Sequence, residues 1–401
     1  MCTAAGFTLY TGGVITAAYR SLRAGPGIMK QHILFIIDGL PGGGAERVVL
    51  SLSHGLVLTG YDVTLLSLSN TRDYDIPEGV DYQVSADTYR GLFHRQTEIR
   101  RRAGKMDAFL SDLFARKGKP VLVVSNLHKT DRIVAASQAL TGLNVWFCLH
   151  GMFSASYLGN KTGLRRRLKQ EKIRRVYNGR NIIGVSGAVC RDLCENVGVT
   201  PQQCVTIYNP FDFADIQYQS QKDNPYQGQD YMVHLGRFHE VKRQDRLLTA
   251  FALANLPCKL LLAGQGSQSA TQTLKNQVAE LGLEERVEFI GFQSKPMPII
   301  RGAKAVVLSS DSEGLSSVLI ESLICGTPVV STHCPGGVRE IMTGELAAYL
   351  SDMTPVSLAE KIRLVYEHPP VITPEMYQKF EQQTIVSQYC DLIQPVPSTH
   401  A

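Results

Sequence analysis

Two glutamates, Glu313 and Glu321, lie eight residues apart in a segment that predicts a strand, a tight turn and a helix. Residues 305–308 form a short apolar run rich in β-branched side chains, which is typical of a buried strand. Ser316 and Ser317 are candidate caps for the helix that follows. Such a unit places a helix N-terminus at the carboxyl end of a parallel strand, where open α/β sheets bind their ligands.

The chemistry that this unit offers is the binding of a phosphorylated sugar. Free amides at Gly314, Leu315 and Ser316 would suit a phosphate. Eight helical steps return a side chain to within about 80° of its start, roughly 12 Å further along the axis, so both acids face one crevice at different depths. Each acid could hold the hydroxyls of a different sugar. The alternative is that both are solvated, but Glu321 interrupts an apolar run, where a solvated acid is less expected.

The rest of the chain predicts two α/β halves around this unit. Its 401 residues are enough for two domains. Apolar runs of the kind that form parallel strands covered on both faces recur at 32–38, 61–68, 121–126, 145–150, 182–186, 231–235, 258–263, 287–292 and 329–331. We expect a first domain at 29–212, a second at 213–375 that opens with a polar linker at 217–230, and a tail at 376–401 that can cross back to the first domain.

A glycine-rich loop follows the first predicted strand, and Gly43 and Gly44 lie within it. A dinucleotide fingerprint is disfavoured because Arg47 occupies its third glycine position and no acid ends the second strand. A Walker A loop is disfavoured because Gly-Lys-Ser/Thr is absent. Two interpretations remain: a plain tight turn, or a loop that lets the backbone approach a ligand held mainly by the other domain.

Three further side chains lie where ligand chemistry is expected. His150 ends a predicted strand, although a lone histidine is more often structural. Arg237 and Lys242 follow the strand at 231–235. The planar guanidinium of Arg237 and the ammonium group of Lys242 could neutralise a diphosphate there. Taken alone, surface charge is the commoner explanation for such a pair.

The frame Glu-Gly-Leu-Ser-Ser-x3-Glu, followed by Gly-Thr-Pro-Val-Val, resembles the signature of retaining nucleotide-sugar glycosyltransferases of family 4. The run Gly-Gly-Ala-Glu-Arg-Val-Val, the run Gly-Arg-x4-Lys and an Asn-Pro-x-Asp hinge are similar to further motifs of that family. The resemblance begins near Met29 and is most specific from Gly236 to Glu340. It implies the GT-B fold, an α/β architecture in which two Rossmann-like, doubly wound parallel-sheet domains face each other across a cleft.

The resemblance also implies an activity and a site. The reaction is transfer of a sugar from a nucleotide diphosphate donor, with UDP-sugars favoured, to an acceptor hydroxyl with the anomeric configuration retained. Glu313 contacts the donor sugar, Glu321 the ribose, and His150 approaches the transferred sugar, so His150 and Glu313 are the expected catalytic residues. The expected donor-binding residues are Gly43, Gly44, Arg237, Lys242, Gly264, Glu313, Gly314, Leu315, Ser316 and Glu321. No metal or other cofactor is required.

Other functions remain open on the same fold. One is a GT-B sugar-nucleotide epimerase, and another is a phosphorylase, which would need pyridoxal phosphate on a lysine. A third is a catalytically inactive GT-B subunit associated with a membrane. The intact set of Arg237, Lys242, Glu313 and Glu321 argues against the third.

The net charge of +5 is modest, but the segment from Lys161 to Arg180 is strongly basic and contains Glu171 as its one acid. Leu164, Leu168 and two later apolar residues give it an amphipathic pattern, which favours contact with an anionic membrane surface. A solvated helix face is the alternative, and nucleic acid is disfavoured because no aromatic residues interleave with the charges. We expect a cytoplasmic enzyme, peripheral on the inner face of the membrane, acting on a glycan or lipid-linked acceptor in lipopolysaccharide-type synthesis.

The cysteines and the first residues bear on the compartment and the start of the chain. Nine cysteines with irregular spacing, several within apolar segments, indicate a reducing compartment. Cys190, Cys194 and Cys204 lack the spacing of a metal site, so we expect them to be core residues. Residues 1–28 fit no targeting pattern, and we expect a disordered leader or a mis-assigned start.

Overall fold

The computed structural model of the chain describes residues 30–89, 91 and 94–393. The predicted leader at 1–28 lies outside these residues. The described ranges contain two parallel sheets, one of seven strands and one of six. The two parallel-sheet α/β halves that the apolar runs predict are confirmed, as is the doubly wound architecture that the family resemblance implies.

The first sheet has the order β3-β2-β1-β4-β5-β6-β7, and every neighbouring pair is parallel. Its strands are β1 (His32–Ile37), β2 (Asp62–Ser67), β3 (Asp81–Val84), β4 (Leu122–Asn126), β5 (Val145–Leu149), β6 (Asn181–Gly184) and β7 (Gln203–Thr206). The helices of this half are α1 (Gly44–Leu58), α2 (His94–Lys117), α3 (His128–Val134), α4 (Gly163–Tyr177) and α5 (Gly187–Arg191). Single π-helical turns lie at Ser154–Leu158, before α4, and at Asp192–Asn196, directly after α5.

The second sheet has the order β10-β9-β8-β11-β12-β13 and is also parallel. Its strands are β8 (Tyr231–Leu235), β9 (Lys259–Ala263), β10 (Val287–Gly291), β11 (Val306–Leu308), β12 (Val329–Thr332) and β13 (Leu350–Ser351). The helices are α6 (Phe213–Ser220), α7 (Gln244–Ala254), α8 (Gln268–Glu280), α9 (Met297–Gly302), α10 (Ser317–Ile324), α11 (Val338–Ile341), α12 (Pro355–Glu367) and α13 (Gln382–Asp391).

The polar linker predicted at 217–230 is partly wrong, because α6 extends into it as far as Ser220. Asp212 caps this helix by accepting a hydrogen bond from the amide of Asp215 at 3.0 Å. Ile216 is buried, so one apolar contact and a side-chain cap outweigh the polar composition. The chain becomes irregular only after Ser220.

The chain passes between the two domains twice, and the passages lie side by side. The amide of Phe211 donates to the carbonyl of Phe380, and the amide of Gln382 donates to the carbonyl of Phe211, each at 3.0 Å. Beyond this point α13 packs on α1 of the first domain, and the ring centroids of Tyr389 and Phe35 lie 6.5 Å apart. The last helix therefore completes the core of the first domain.

Candidate functional site

The strand order reverses beside β1 in the first sheet and beside β8 in the second. In open α/β sheets the crevice for ligands lies at the carboxyl ends of the strands at this reversal. Loops 38–43 and 236–243 follow β1 and β8, and loop 309–316 follows β11. The predicted site residues of the two domains are concentrated in these loops.

Glu313 and Lys242 meet in the second domain. Lys242 Nζ lies 2.6 Å from Glu313 Oε1, and the hydroxyl of Ser310 donates to the same oxygen at 2.6 Å. Lys242 ends a 3₁₀ turn at Glu240–Lys242. The backbone carbonyl of Lys242 accepts a hydrogen bond from the Ser309 hydroxyl at 2.8 Å. The cation and the acid that the sequence assigns to one donor are therefore held together by their two loops.

The amides at the start of α10 remain available to a ligand. Within the described residues, the amide groups of Gly314, Leu315 and Ser316 donate to no protein acceptor. Ser316 occupies the N-cap position, as predicted, but its hydroxyl accepts no hydrogen bond from the helix, so it does not act as a side-chain cap. These amides and the helix dipole create a partial positive charge beside Lys242.

Close packing explains why glycine occupies two of the predicted positions. A Cβ at Gly314 would lie 2.1 Å from the carbonyl oxygen of His150, across the interface between the domains. A Cβ at Gly264 would lie 1.9 Å from the carbonyl oxygen of Gly236, in the neighbouring loop. Gly264 thus packs directly against the loop that carries Arg237.

Glu321 lies inside α10 and is almost completely buried. Its Oε1 lies 2.8 Å from Nη2 of Arg47 in the first domain. Burial raises the pKa of the Glu321 carboxyl group, and the guanidinium of Arg47 opposes this shift. The sequence predicts Glu321 in the crevice as a contact for ribose, whereas the structure shows its carboxylate buried in an ion pair between the two domains.

His150 follows β5 and is held by Asn126. Its Nε2 lies 3.0 Å from Asn126 Oδ1, and the Asn126 amide nitrogen donates to the carbonyl of Val124, which orients the side chain. Burial lowers the pKa of His150 to about 4, so the imidazole is neutral at pH 7. With Nε2 donating to Asn126, Nδ1 keeps its lone pair and can accept a hydrogen bond.

The first turn of α1, which follows the glycine loop, lies within electrostatic range of Arg237 in the other domain. Gly43 precedes α1, and its carbonyl accepts from the Tyr74 hydroxyl at 3.1 Å, while Gly44 is the first residue of the helix. Burial raises the pKa of Glu46, and the charge of Arg237 opposes the shift. Arg237 itself is exposed and forms no ion pair with any described residue.

Glu340 ends the most specific part of the family resemblance, but its contacts with the first domain were not predicted. Its carboxylate accepts from the amides of Gly187 at 3.0 Å and Ala188 at 2.9 Å, and from the Tyr208 hydroxyl at 3.1 Å. Nearby, the Ser186 hydroxyl donates to the carbonyl of Gly314 at 2.8 Å. No sequence signal connects partners that are 128 to 153 residues apart, so these contacts were not predictable.

Metal-ligand chemistry is not apparent in the described part of the chain. It contains no cluster of three or more histidine, cysteine, aspartate or glutamate side chains suited to a metal ion. Cys190, Cys194 and Cys204 are half-buried rather than core residues, and the hydrogen bond with Cys204 lowers the pKa of the Cys190 thiol.

Comparison with known proteins defines the class of this fold and site. The family described as Glycosyltransferase Family 4 matches residues 42–215, and the family described as Glycosyl transferases group 1 matches residues 215–385. Together the two matches cover residues 42–385, which include every strand except β1 and the loops that follow β8 and β11. The chain belongs to this family of GT-B glycosyltransferases, and it is an enzyme of the glycosyltransferase class.

Individual relatives share this class with different substrates in their names. N-acetylgalactosamine-N,N'-diacetylbacillosaminyl-diphospho-undecaprenol 4-alpha-N-acetylgalactosaminyltransferase of Campylobacter jejuni is 25% identical over 78% of this chain and 83% of its own. Lipopolysaccharide 1,6-galactosyltransferase of Salmonella typhimurium is 28% identical over 37% of this chain and 43% of its own. The crystal structure of Anabaena HepE in complex with UDP and glucose matches 90% of this chain and 98% of its own, with a TM-score of 0.71 and 19% identity.

Proposed function

We propose that this enzyme is a retaining glycosyltransferase that uses a nucleotide diphosphate sugar, with UDP-sugars favoured. The acceptor is a glycan or a lipid-linked saccharide, and the pathway is synthesis of a surface polysaccharide or lipopolysaccharide. The observation that carries the proposal is that Lys242, Glu313 and the free amides of α10 lie together where the strand order of the second sheet reverses. The second domain binds the donor, and the first domain binds the acceptor.

In this proposal the diphosphate binds where positive charge is concentrated. Lys242 and Arg237 contact its oxygens, and the amides of Gly314 to Ser316 donate to them along the axis of α10. The same groups stabilise the charge that develops on the leaving phosphate. Because cations and amides supply this stabilisation, the enzyme requires no metal.

Glu313 and His150 lie on the side of the transferred sugar. Glu313 accepts from sugar hydroxyls, and its orientation is fixed by Lys242 and Ser310. His150 is a neutral acceptor rather than a general acid, because burial lowers its pKa to about 4. The leaving phosphate accepts the proton of the acceptor hydroxyl on the same face of the sugar, which retains the anomeric configuration.

Names of relatives support the choice of substrates. The Anabaena structure holds UDP, and the Campylobacter relative carries an undecaprenol diphosphate acceptor in its name. Two relatives are named as lipopolysaccharide 1,6-galactosyltransferases. We therefore propose an acceptor at a lipid surface.

The membrane contact in this proposal is made by α4. Leu164 and Leu168 project from its first two turns with 72% and 56% of their surface exposed, between basic side chains. Ile173 and Val176 pack into the core, so the predicted apolar stripe divides into an exposed part and a buried part. Across the described ranges, no helix has the length and apolar character needed to cross a bilayer. We propose peripheral binding at the cytoplasmic face.

A panel of nucleotide sugars tests the proposed function. Thermal shift should show stabilisation by one or more UDP-sugars, and slow hydrolysis should release the sugar with the donor's anomeric configuration, as read by proton NMR. EDTA should leave the rate unchanged. Stabilisation by no nucleotide sugar, or release of an epimerised product, would reject the proposal.

A further inference from the structure

Arg47 extends from the first turn of α1 and forms the only hydrogen bond that the Glu321 side chain makes with described residues. The guanidinium is about half exposed, whereas the carboxylate is 4% exposed. Arg47 and Glu321 are 274 residues apart in the sequence and lie in different domains. A buried carboxylate is stable only with such a partner, so Arg47 satisfies a group that neither domain satisfies alone.

This pairing conflicts with the ribose contact that the family resemblance implies for Glu321. If ribose hydroxyls bind the Glu321 carboxylate, they have to take the place of the Arg47 guanidinium. The guanidinium keeps its charge at any physiological pH, so it then needs another acceptor. A diphosphate is the acceptor whose geometry suits a planar fork best.

The distances make this exchange feasible. Glu321 lies four residues beyond Ser317, the first residue of α10, which is about 6 Å along the helix axis. Arg47 therefore ends about one helical turn from the free amides that would bind the diphosphate. The neighbouring residue of Arg47, Glu46, lies within electrostatic range of Arg237, so this turn of α1 lies near the loop that carries Arg237.

We propose that Arg47 exchanges partners during donor binding, from Glu321 to the donor's diphosphate, and serves as a third cation beside Arg237 and Lys242. This proposal rests on the proposed function. It makes binding of the ribose and of the diphosphate cooperative, because the ribose displaces Arg47 from Glu321 and the diphosphate then binds Arg47. A nucleoside alone has to break the ion pair without providing the new acceptor.

Calorimetric binding of uridine and of UDP to the full-length protein tests the proposal. The ratio of the two dissociation constants measures what the diphosphate adds. In Arg47→Ala we expect this ratio to fall at least tenfold, which is 1.4 kcal/mol, while uridine binds as tightly as before or more tightly. Arg47→Lys should restore part of the ratio. Lys304→Ala, which removes an exposed ion pair with Asp230, is the matched control and should leave it unchanged.

Glu321→Gln provides a second measurement, because it removes the negative charge that holds Arg47 while keeping the shape of the side chain. UDP binding in that variant should still weaken when Arg47→Ala is added. An unchanged ratio in Arg47→Ala, or an equal loss of uridine and UDP affinity, would overturn the proposal and leave the donor site intact. Failure of the wild-type protein to bind any nucleotide sugar in the preceding panel would instead overturn the proposed function.

Discussion

Lys242 Nζ lies 2.6 Å from Glu313 Oε1, so the cation proposed for the diphosphate is bonded to the acid proposed for the sugar. Both side chains are partly shielded from water, which strengthens their attraction. A donor that places its phosphate beside Lys242 and its sugar beside Glu313 has to share this pair or separate it. The pair therefore couples recognition of the two parts of the donor.

We expect Lys242→Ala and Glu313→Ala each to lower turnover by a factor of about 100 or more, which is about 2.7 kcal/mol of transition-state stabilisation. Each change also releases the other member of the pair, so the double variant should lose less than the product of the single losses. Steady-state kinetics with the best donor of the panel measures the effect.

Folding should be almost unaffected by these changes, because neither side chain belongs to the apolar core. Lys304→Ala removes a surface ion pair of the same domain and is the matched control, with expected wild-type turnover. Wild-type turnover in Lys242→Ala or Glu313→Ala would contradict the site assignment.

Glu340 should determine how firmly the two domains close. Replacing it with alanine removes the acceptor for two amides and one hydroxyl of the first domain. Hydrogen bonds to a charged group each contribute roughly 1.5–3 kcal/mol, so the closed arrangement should become clearly less populated. Small-angle X-ray scattering should show a larger radius of gyration, and the KM for the donor should rise.

Glu345→Ala is the control for this variant, because Glu345 is exposed in the same domain and forms no ion pair within the described residues. It should leave both the scattering profile and the KM unchanged. An unaltered radius of gyration in Glu340→Ala would show that apolar packing alone closes the cleft.

The sequence predicted those parts of the site that depend on neighbours along the chain. The loop around Glu313 and Gly314, the helix start after it, and the position of the cations after β8 follow from local patterns of apolar, glycine and charged residues. The assignment of these cations to a diphosphate follows from the family resemblance. The partners of Glu321 and Glu340 could not be predicted, because each contact joins residues more than 130 positions apart. Buried polar pairing of this kind depends on how two finished domains meet.

Two local errors have local causes. Helix α6 was missed because its polar composition concealed the Asp212 cap and its single buried isoleucine. Ser316 has the position of a capping serine, but its hydroxyl does not make the capping bond. Propensity identifies where a helix begins more reliably than which group satisfies its first amides.

Asp131 should make stability depend on pH. It lies in α3, is fully buried, and accepts hydrogen bonds from Ser125 at 2.5 Å and Tyr177 at 2.7 Å. Burial raises the pKa of its carboxyl group to about 7. The ordinary value is 3.8, so between pH 4 and 7 the folded state holds a proton that the unfolded state has lost. This group therefore lowers the free energy of unfolding as pH rises through that window, and adds no further change above it.

The Asp131→Asn variant keeps the shape and cannot ionise. Relative to wild type, its free energy of unfolding should gain up to about 1.4 kcal/mol per pH unit between pH 4 and 7. Urea denaturation at pH 5 and pH 8 measures the difference. Asp230→Asn, an exposed acid, is the control and should show no such gain. A constant difference between Asp131→Asn and wild type at the two pH values would contradict the prediction.

Helix α4 should bind the protein to anionic lipid. Its first two turns combine Leu164 and Leu168, which are exposed, with Arg165, Arg166 and Arg167. Each cation near an anionic surface contributes about 1 kcal/mol at low salt, and this attraction falls off within a Debye length. Vesicles containing phosphatidylglycerol should therefore sediment the protein, and vesicles of phosphatidylcholine alone should not.

Two sets of variants separate the charges from the leucines. Replacing the three arginines with glutamate should abolish binding to phosphatidylglycerol vesicles, whereas Leu164→Ala with Leu168→Ala should weaken it and leave its salt dependence unchanged, because the charges remain. Leu253→Ala is the matched control, since Leu253 is also exposed but lies on α7 of the second domain. Turnover with a water-soluble acceptor should stay at the wild-type level in all of these variants, because α4 acts on the location of the enzyme and not on its chemistry. Equal sedimentation of the wild type and the glutamate variant would assign α4 to the solvated surface instead.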